Sequence, residues 1–202
     1  MQLHRDRHFL QYMDKYRARK GGAVPVPHTS AVPRQYHRLK INGEVFQPDD
    51  TVCIKEYNGD SYATLMHFSG SPDDATVRIR WFYQPRSIFV EHAWPLGHDE
   101  LFDSDHEDEI TAMAINSRIK VLTLEEYLQL DKVTEDVFYM RAKYLASVGE
   151  VVPALDQWRK VCVCRALLSP RDVYRMCGQC KQYFHPNCVG EDAIKWKCPG
   201  CR

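Results

Sequence analysis

The sequence predicts a mainly β chain with short helices, followed by a small module that cannot fold on apolar packing alone. Three observations predict it. Short strand-like runs with turn residues between them recur from Val45 to about Leu145. Seven of the eight cysteines crowd into residues 162–201. The 202 residues suffice for one substantial core plus a small appended module.

Taken in order, residues 1–20 read as a helix, with Phe9, Leu10, Tyr12, Met13 and Tyr16 roughly on one side. The stretch GGAVPVPHTSAVP then ends it, because two glycines and three prolines favour an extended linker. Three strands follow in DTVCIKEY, SYATLMHF and TVRIRWFY, with NGD and SGSPDDA as the turns. RIKVLTL, a short helical LEEYLQL and VFYMRAKY complete this region. The expected division is residues 1–39 as basic helix and linker, 40–158 as the β domain and 159–202 as the cysteine module. Trp158, in the short linker GEVVPALDQWRK, is placed to pin the two modules in a fixed arrangement.

Charge is balanced, with 27 Lys and Arg against 27 Asp and Glu, so no net field draws the chain to DNA or to a membrane. Its distribution is uneven. Residues 1–40 hold nine basic and two acidic side chains, whereas DELFDSDHEDE at 99–109 holds seven acids and no Lys or Arg. A basic arm and an acidic patch suit a partner of mixed charge such as chromatin, although each alone also reads as a solvated segment. No apolar run approaches the roughly 18–20 residues of a membrane span, and the polar N-terminus lacks a signal-peptide pattern. The expectation is a soluble chain in a reducing compartment, where crowded cysteines bind metal rather than pair as disulfides.

The ligand run is C-x-C-x12-C-x2-C-x4-H-x2-C-x9-C-x2-C. Seven thiolates and one imidazole fill two closed tetrahedral zinc sites and leave no coordination position for water, so both sites are structural. Alternation of the pairs assigns Cys162, Cys164, His185 and Cys188 to one ion, and Cys177, Cys180, Cys198 and Cys201 to the other. No Gly-rich phosphate loop and no Ser/His/Asp grouping is present. The acids at 103–109 lack the glycine turn of a calcium loop. Cys53 reads as a buried strand thiol, and His67 and His92 as structural or exposed.

The C4-H-C3 order, with Trp196 two residues before the seventh ligand, Cys198, resembles the PHD finger across residues 161–202. A RING-type ubiquitin ligase shares the interleaving and is the rival. The PHD resemblance implies a histone H3 site that reads lysine 4, at positions occupied here by Val161, Leu168, Tyr174 and Tyr183. Only two of these are aromatic, and both tyrosines could instead pack the small fold. Residues 43–150 resemble a BAH domain through DDTVCIKE, SYATLMHF, VRIRWFYQP and ELFDSDHED, in that order. BAH followed directly by PHD resembles the plant Short Life and Early Bolting chromatin readers and their fungal counterparts. That resemblance implies a non-enzymatic nuclear protein whose BAH domain reads trimethylated lysine 27 of histone H3, linked to transcriptional repression.

By motif the methyl-lysine cage falls on Tyr62, Trp81 and Tyr83, with His106 and Asp108 beside the histone peptide. Strand alternation puts Trp81 and Tyr83 on one face and Phe82 on the other. Tyr62 would join them from an antiparallel neighbour while Phe82 faces the barrel interior. The same alternation also allows Trp81 and Tyr83 to be core with Phe82 outward. Arg86 and Ser87 stand where the family often has acids, and Trp94 has no assigned role. Reading of methylated histone H4 lysine 20 and a protein-only scaffold are the other readings. The expected partners are the methylated H3 tail, the nucleosome and chromatin-silencing complexes, with DNA or protein on the basic N-terminus and no membrane.

Overall fold

The computed structural model describes residues 36–56, 59–71, 74–89, 99–190 and 196–201. The expected N-terminal helix, nearly all of the basic arm, His92 and Trp94 lie outside them.

The strands in chain order are β1 (Leu39–Ile41), β2 (Glu44–Phe46), β3 (Thr51–Glu56), β4 (Gly59–Ser71), β5 (Asp74–Phe82), β6 (Asp103–Ser104), β7 (Glu107–Thr111) and β8 (Ile115–Arg118). They continue with β9 (Lys120–Thr123), β10 (Val137–Met140), β11 (Lys143–Leu145), β12 (Glu150–Val152), β13 (Lys160–Val161), β14 (Ala166–Leu167), β15 (Arg175–Met176) and β16 (Tyr183–Phe184). The main sheet is antiparallel with order β7-β5-β4-β3-β8. Smaller sheets flank it: the β1–β2 hairpin, the parallel pair β9–β10, and β12-β11-β6. The predicted strands coincide with β3, β4 and β5. The predicted helix LEEYLQL forms one turn, Leu124–Tyr127, closed by a capping box in which Thr123 and Glu126 satisfy each other's backbone amides.

Strand β5 is a clean two-residue alternation. Ala75, Val77, Ile79 and Trp81 are buried, and Arg78 between them is exposed. These four pack with Val52, Ile54, Ala63, Leu65 and Phe68 into the main core. In β4, Leu65 and Phe68 are both fully buried although three residues apart. A bulge between Leu65 and His67 absorbs the extra residue and restores the phase. The β4–β5 turn needs glycine at position 70, where φ is 100° and a Cβ would meet the Asp74 carbonyl oxygen.

The other face of the same sheet is covered as well. Cys53, Leu101, Ile119 and Phe138 cluster there with Tyr62, Phe82 and Val121. Cys53 is therefore the buried strand thiol its sequence context implied, and burial raises its pKa. The C-terminal module consists of two short hairpins, β13–β14 and β15–β16, around a core of Cys177, Phe184, Trp196 and Cys198. Trp196 meets Phe184 edge-on at 5.2 Å, filling the role expected of the aromatic before the seventh ligand. No helix among the described residues is long and apolar enough to cross a membrane.

Candidate reader site and metal centres

The metal-ligand atoms gather as the spacing predicts. Cys162, Cys164, His185 and Cys188 form one group, and Cys177, Cys180, Cys198 and Cys201 the other. Within each group the ligand atoms lie within 4.8 Å of one another. Cys180 Sγ and Cys198 Sγ are 3.7 Å apart, and Cys164 Sγ lies 3.4 Å from His185 Nδ1. Tetrahedral bonds of about 2.0–2.3 Å place neighbouring ligands about 3.5–3.8 Å apart, so both groups fit zinc.

The electrostatics agree. Desolvation opposes ionisation of Cys162, but amide and side-chain donors outweigh it and bring its pKa down to about 6. The Cys198 backbone amide does the same for Cys177, also to about 6. Crowding then pushes Cys188 up to about 11 through Cys162, and Cys201 up to about 12 through Cys198. At neutral pH the crowded thiols of each group can all ionise together only around a cation.

One supporting residue escaped the sequence reading. Asp172 Oδ2 lies 3.4 Å from His185 Nε2 and accepts a hydrogen bond from Tyr174 Oη at 3.2 Å. A carboxylate on the far nitrogen orients the ring so that Nδ1 faces the thiols. The signal was an acid within the long first loop, which spacing alone cannot place beside the histidine.

The aromatic residues of β4 and β5 are arranged differently from expectation. Tyr62 pairs opposite Phe82, and Trp81 pairs opposite Ala63. Directly opposed residues share a face, so the register sets Tyr62 beside Phe82 rather than beside Trp81. Tyr62 packs at 4.5 Å on Phe138, and its expected common face with Trp81 and Tyr83 is not formed. Phe82 does not face the main core; Trp81 does, at 7% exposure, as the fourth inward residue of β5. The Trp81 indole N–H is buried without a hydrogen-bond acceptor among the described residues.

Tyr83 lies just past β5, where its backbone exchanges hydrogen bonds with Phe102 at 2.9 and 2.8 Å. Its ring stands edge-on to Tyr144 at 4.8 Å, and its hydroxyl lies 2.8 Å from His106 Nδ1. Burial keeps the phenol protonated far above its ordinary range. The neutral phenol and imidazole share one hydrogen bond, whose donor is set by the His106 tautomer. Ser104 ties this group together, donating to the Trp81 carbonyl at 2.6 Å and accepting from the His106 amide at 3.1 Å. Asp105 accepts from the Ala146 amide and the Ser147 hydroxyl, both at 2.6 Å, and so fixes the β11–β12 hairpin that carries Tyr144.

Acid-rich β6 and β7 run alongside. Glu107 pairs with Arg78 at 2.6 Å, Asp103 with Arg80 at 3.0 Å, and half-buried Asp108 caps the Glu109 amide. Tyr144 was not foreseen, because its partner lies about sixty positions away in sequence.

The three remaining candidates, Leu168, Tyr174 and Tyr183, are not spread along an open groove. Leu168 is 2% exposed and clusters with Val161 and with Leu124, Tyr127 and Tyr139 of the β domain, and half-buried Tyr174 and Tyr183 pack against that cluster. Beneath them lies a buried ion pair that sequence reasoning also missed. Arg141 Nε and Glu100 Oε1 are 2.6 Å apart, with Glu100 fully buried and Tyr139 Oη donating to it at 3.1 Å.

Compared with known proteins, the chain is 34% identical over 168 residues to chromatin remodeling protein SHL of Arabidopsis thaliana, covering 81% of this chain and 73% of that one. It is 33% identical over 118 residues to chromatin remodeling protein EBS of the same plant, covering 58% of this chain and 50% of that one. Among solved structures, the BAH domain of yeast Rsc2 overlays 57% of this chain and 52% of its own with a TM-score of 0.49 at 13% identity. No family model matches.

Proposed function

Because the chain belongs to the BAH–PHD family of chromatin proteins that includes SHL and EBS, we propose that it is a non-catalytic nuclear reader of trimethyl-lysine. The proposed ligand is lysine 27 of the histone H3 tail, and the proposed outcome is repression through silencing complexes on the nucleosome. The observation that carries the reading is the aromatic group at the end of β5. Trp81 and Tyr83 follow one another at strand spacing, Tyr83 is braced by Tyr144 and His106, and an acidic ribbon lies alongside.

A quaternary ammonium is held by ring faces, and the attraction grows when water is excluded. In this reading Trp81 is the floor of the box and Tyr83 a wall. Tyr62, on the opposite face beside Phe82 and Phe138, stands outside this box. Asp103 to Glu109, with His106 and Asp108 among them, steer a basic peptide toward the box. Two closed zinc sites supply structure and no vacant coordination position for chemistry.

A methylated-peptide array on the full chain tests the proposal. Trimethyl-lysine 27 of H3 is expected to bind, with little signal on unmodified peptide, and Tyr83→Ala is expected to abolish the difference. Equal binding by parent and variant removes the cage. Preference for methylated H4 lysine 20 reassigns the mark. Ubiquitin transfer with a panel of conjugating enzymes is expected to be silent, which separates this reading from a RING-type ligase. Trp81→Ala is the poorer probe, since deleting a buried Trp costs about 3–5 kcal/mol of stability in its own right.

A further inference from the structure

The face of the finger formed by Val161, Leu168, Tyr174 and Tyr183 joins one cluster with Leu124, Tyr127 and Tyr139 of the β domain, with Val161 and Leu168 buried and the two tyrosines half-buried. Leu168, at 2% exposure, lies outside the finger's own core of Cys177, Phe184, Trp196 and Cys198 and is buried in a cluster shared with the β domain. The residues that cover it come from elsewhere in the chain: Leu124 and Tyr127 from the capped helical turn, and Tyr139 from β10. Polar contacts seal the same junction. Arg141 donates to the Leu168 carbonyl at 2.7 Å while paired with buried Glu100, and its guanidinium stacks 5.0 Å from the Trp158 ring. At the rim, Asp99 receives Arg171 at 3.3 Å and the Tyr127 hydroxyl at 3.4 Å.

We propose that this aromatic face of the finger is an intramolecular docking surface whose occupant is the β domain, so that the finger cannot admit a methylated lysine there unless the two modules part. The junction also leads to the β-domain site. Trp158 packs edge-on to Phe102 at 5.8 Å, and Phe102 is the backbone partner of Tyr83. Leu167 of the finger packs against the same Phe102–Trp158 cluster, so the finger buttresses the segment that holds Tyr83 instead of acting as a second, independently swinging reader. This goes beyond the proposed reading of lysine 27 and does not depend on it.

Hydroxyl-radical footprinting of the full chain, without any histone peptide, tests the closure. The comparison variant combines Arg141→Met with Arg171→Glu, which removes the link to Leu168 and turns the Asp99 contact repulsive. Labelling of Leu168, Tyr174 and Tyr183 is expected to rise about threefold or more in the variant, as for a locally opened unit. Phe184 and Trp196 in the finger's own core, and Phe46 and Leu65 in the main core, are expected to stay protected. Equal labelling of the three residues in parent and variant overturns the proposal.

Should the variant lose protection in its cores too, the parent decides alone. Labelling of Leu168, Tyr174 and Tyr183 near their rates in the denatured chain overturns the closure, and strong protection supports it. In a second arm, parent chain is titrated with H3 tail peptide, unmodified or trimethylated at lysine 4. Equal affinities are expected. Tighter binding of the methylated peptide with new protection at Tyr174 and Tyr183 overturns the proposal, whatever the β domain binds.

Discussion

Replacing Arg141 by alanine isolates one carboxylate. Glu100 is fully buried, its counter-ion sits 2.6 Å away, and the Arg141 side chain is itself only 8% exposed. Removing one partner of such a pair leaves an uncompensated charge in a low-dielectric site and costs about 3–5 kcal/mol. The loss is accompanied by an unpaired Leu168 carbonyl, worth about a further 1 kcal/mol. At about 2–4 °C per kcal/mol for a chain of this size, the melting midpoint should fall by roughly 8–24 °C.

Urea unfolding followed by tryptophan fluorescence measures the change directly, with a constant denaturant slope as the check on two-state behaviour. The informative step is the second substitution. Adding Glu100→Gln removes the stranded charge and keeps an acceptor for Tyr139 Oη, so the double variant should be more stable than Arg141→Ala alone by about 1–3 kcal/mol. If Arg141→Ala lies within about 1 kcal/mol of the parent, or if Glu100→Gln adds its own independent loss, the buried-charge argument fails.

Zinc analysis should return two ions per chain, and a value near one would break the interleaved assignment. Stripping the metal with a strong chelator should unfold the finger and also lower the melting midpoint of the β domain, because Leu168 and Val161 leave a shared cluster. Asp172→Asn should weaken metal retention about tenfold or more in competition with a chromophoric chelator, since the carboxylate orients His185. The Asp105 carboxyl is held below its ordinary 3.8 chiefly by the Ser147 hydroxyl. Its clamp on the Tyr144 hairpin is therefore complete above pH 3.8 and is lost as pH falls through the lower folded value. The Ala146 amide resonance should titrate with that midpoint, and a midpoint at or above 3.8 would contradict the contact.

The zinc groups were legible in the sequence because ligand chemistry is local: donor type and spacing over forty residues leave few ways to close two tetrahedra. The strands were legible for a similar reason, since period-two burial is written into Ala75, Val77, Ile79 and Trp81. Contacts set by long-range register were not legible. Glu100 looked like one acid among seven, and nothing within its own segment says that Arg141 neutralises it. Tyr144 reaches Tyr83 only because β11 lies parallel to β6, which places Tyr144 next to Ser104. Such pairings cost loop closure before they gain contacts, and no local propensity encodes them.

The aromatic triplet at 81–83 carries the clearest lesson, because two kinds of argument disagreed over it. Motif order suggested an outward Trp81 grouped with Tyr62, whereas the inward parity of β5 already placed Trp81 with Ile79 and Val77. Register decides in favour of parity for Tyr62, which stands across from Phe82, and for Trp81, which lines the core. Tyr83 escapes the rule by lying one residue beyond the strand, held by Phe102 and turned toward Tyr144 and His106. A box built on Trp81 and Tyr83 would thus have a floor rooted in the main core and a wall fixed at the sheet's end. Such rigidity suits a bulky quaternary ammonium, because rings that are already ordered lose little freedom when they close on it.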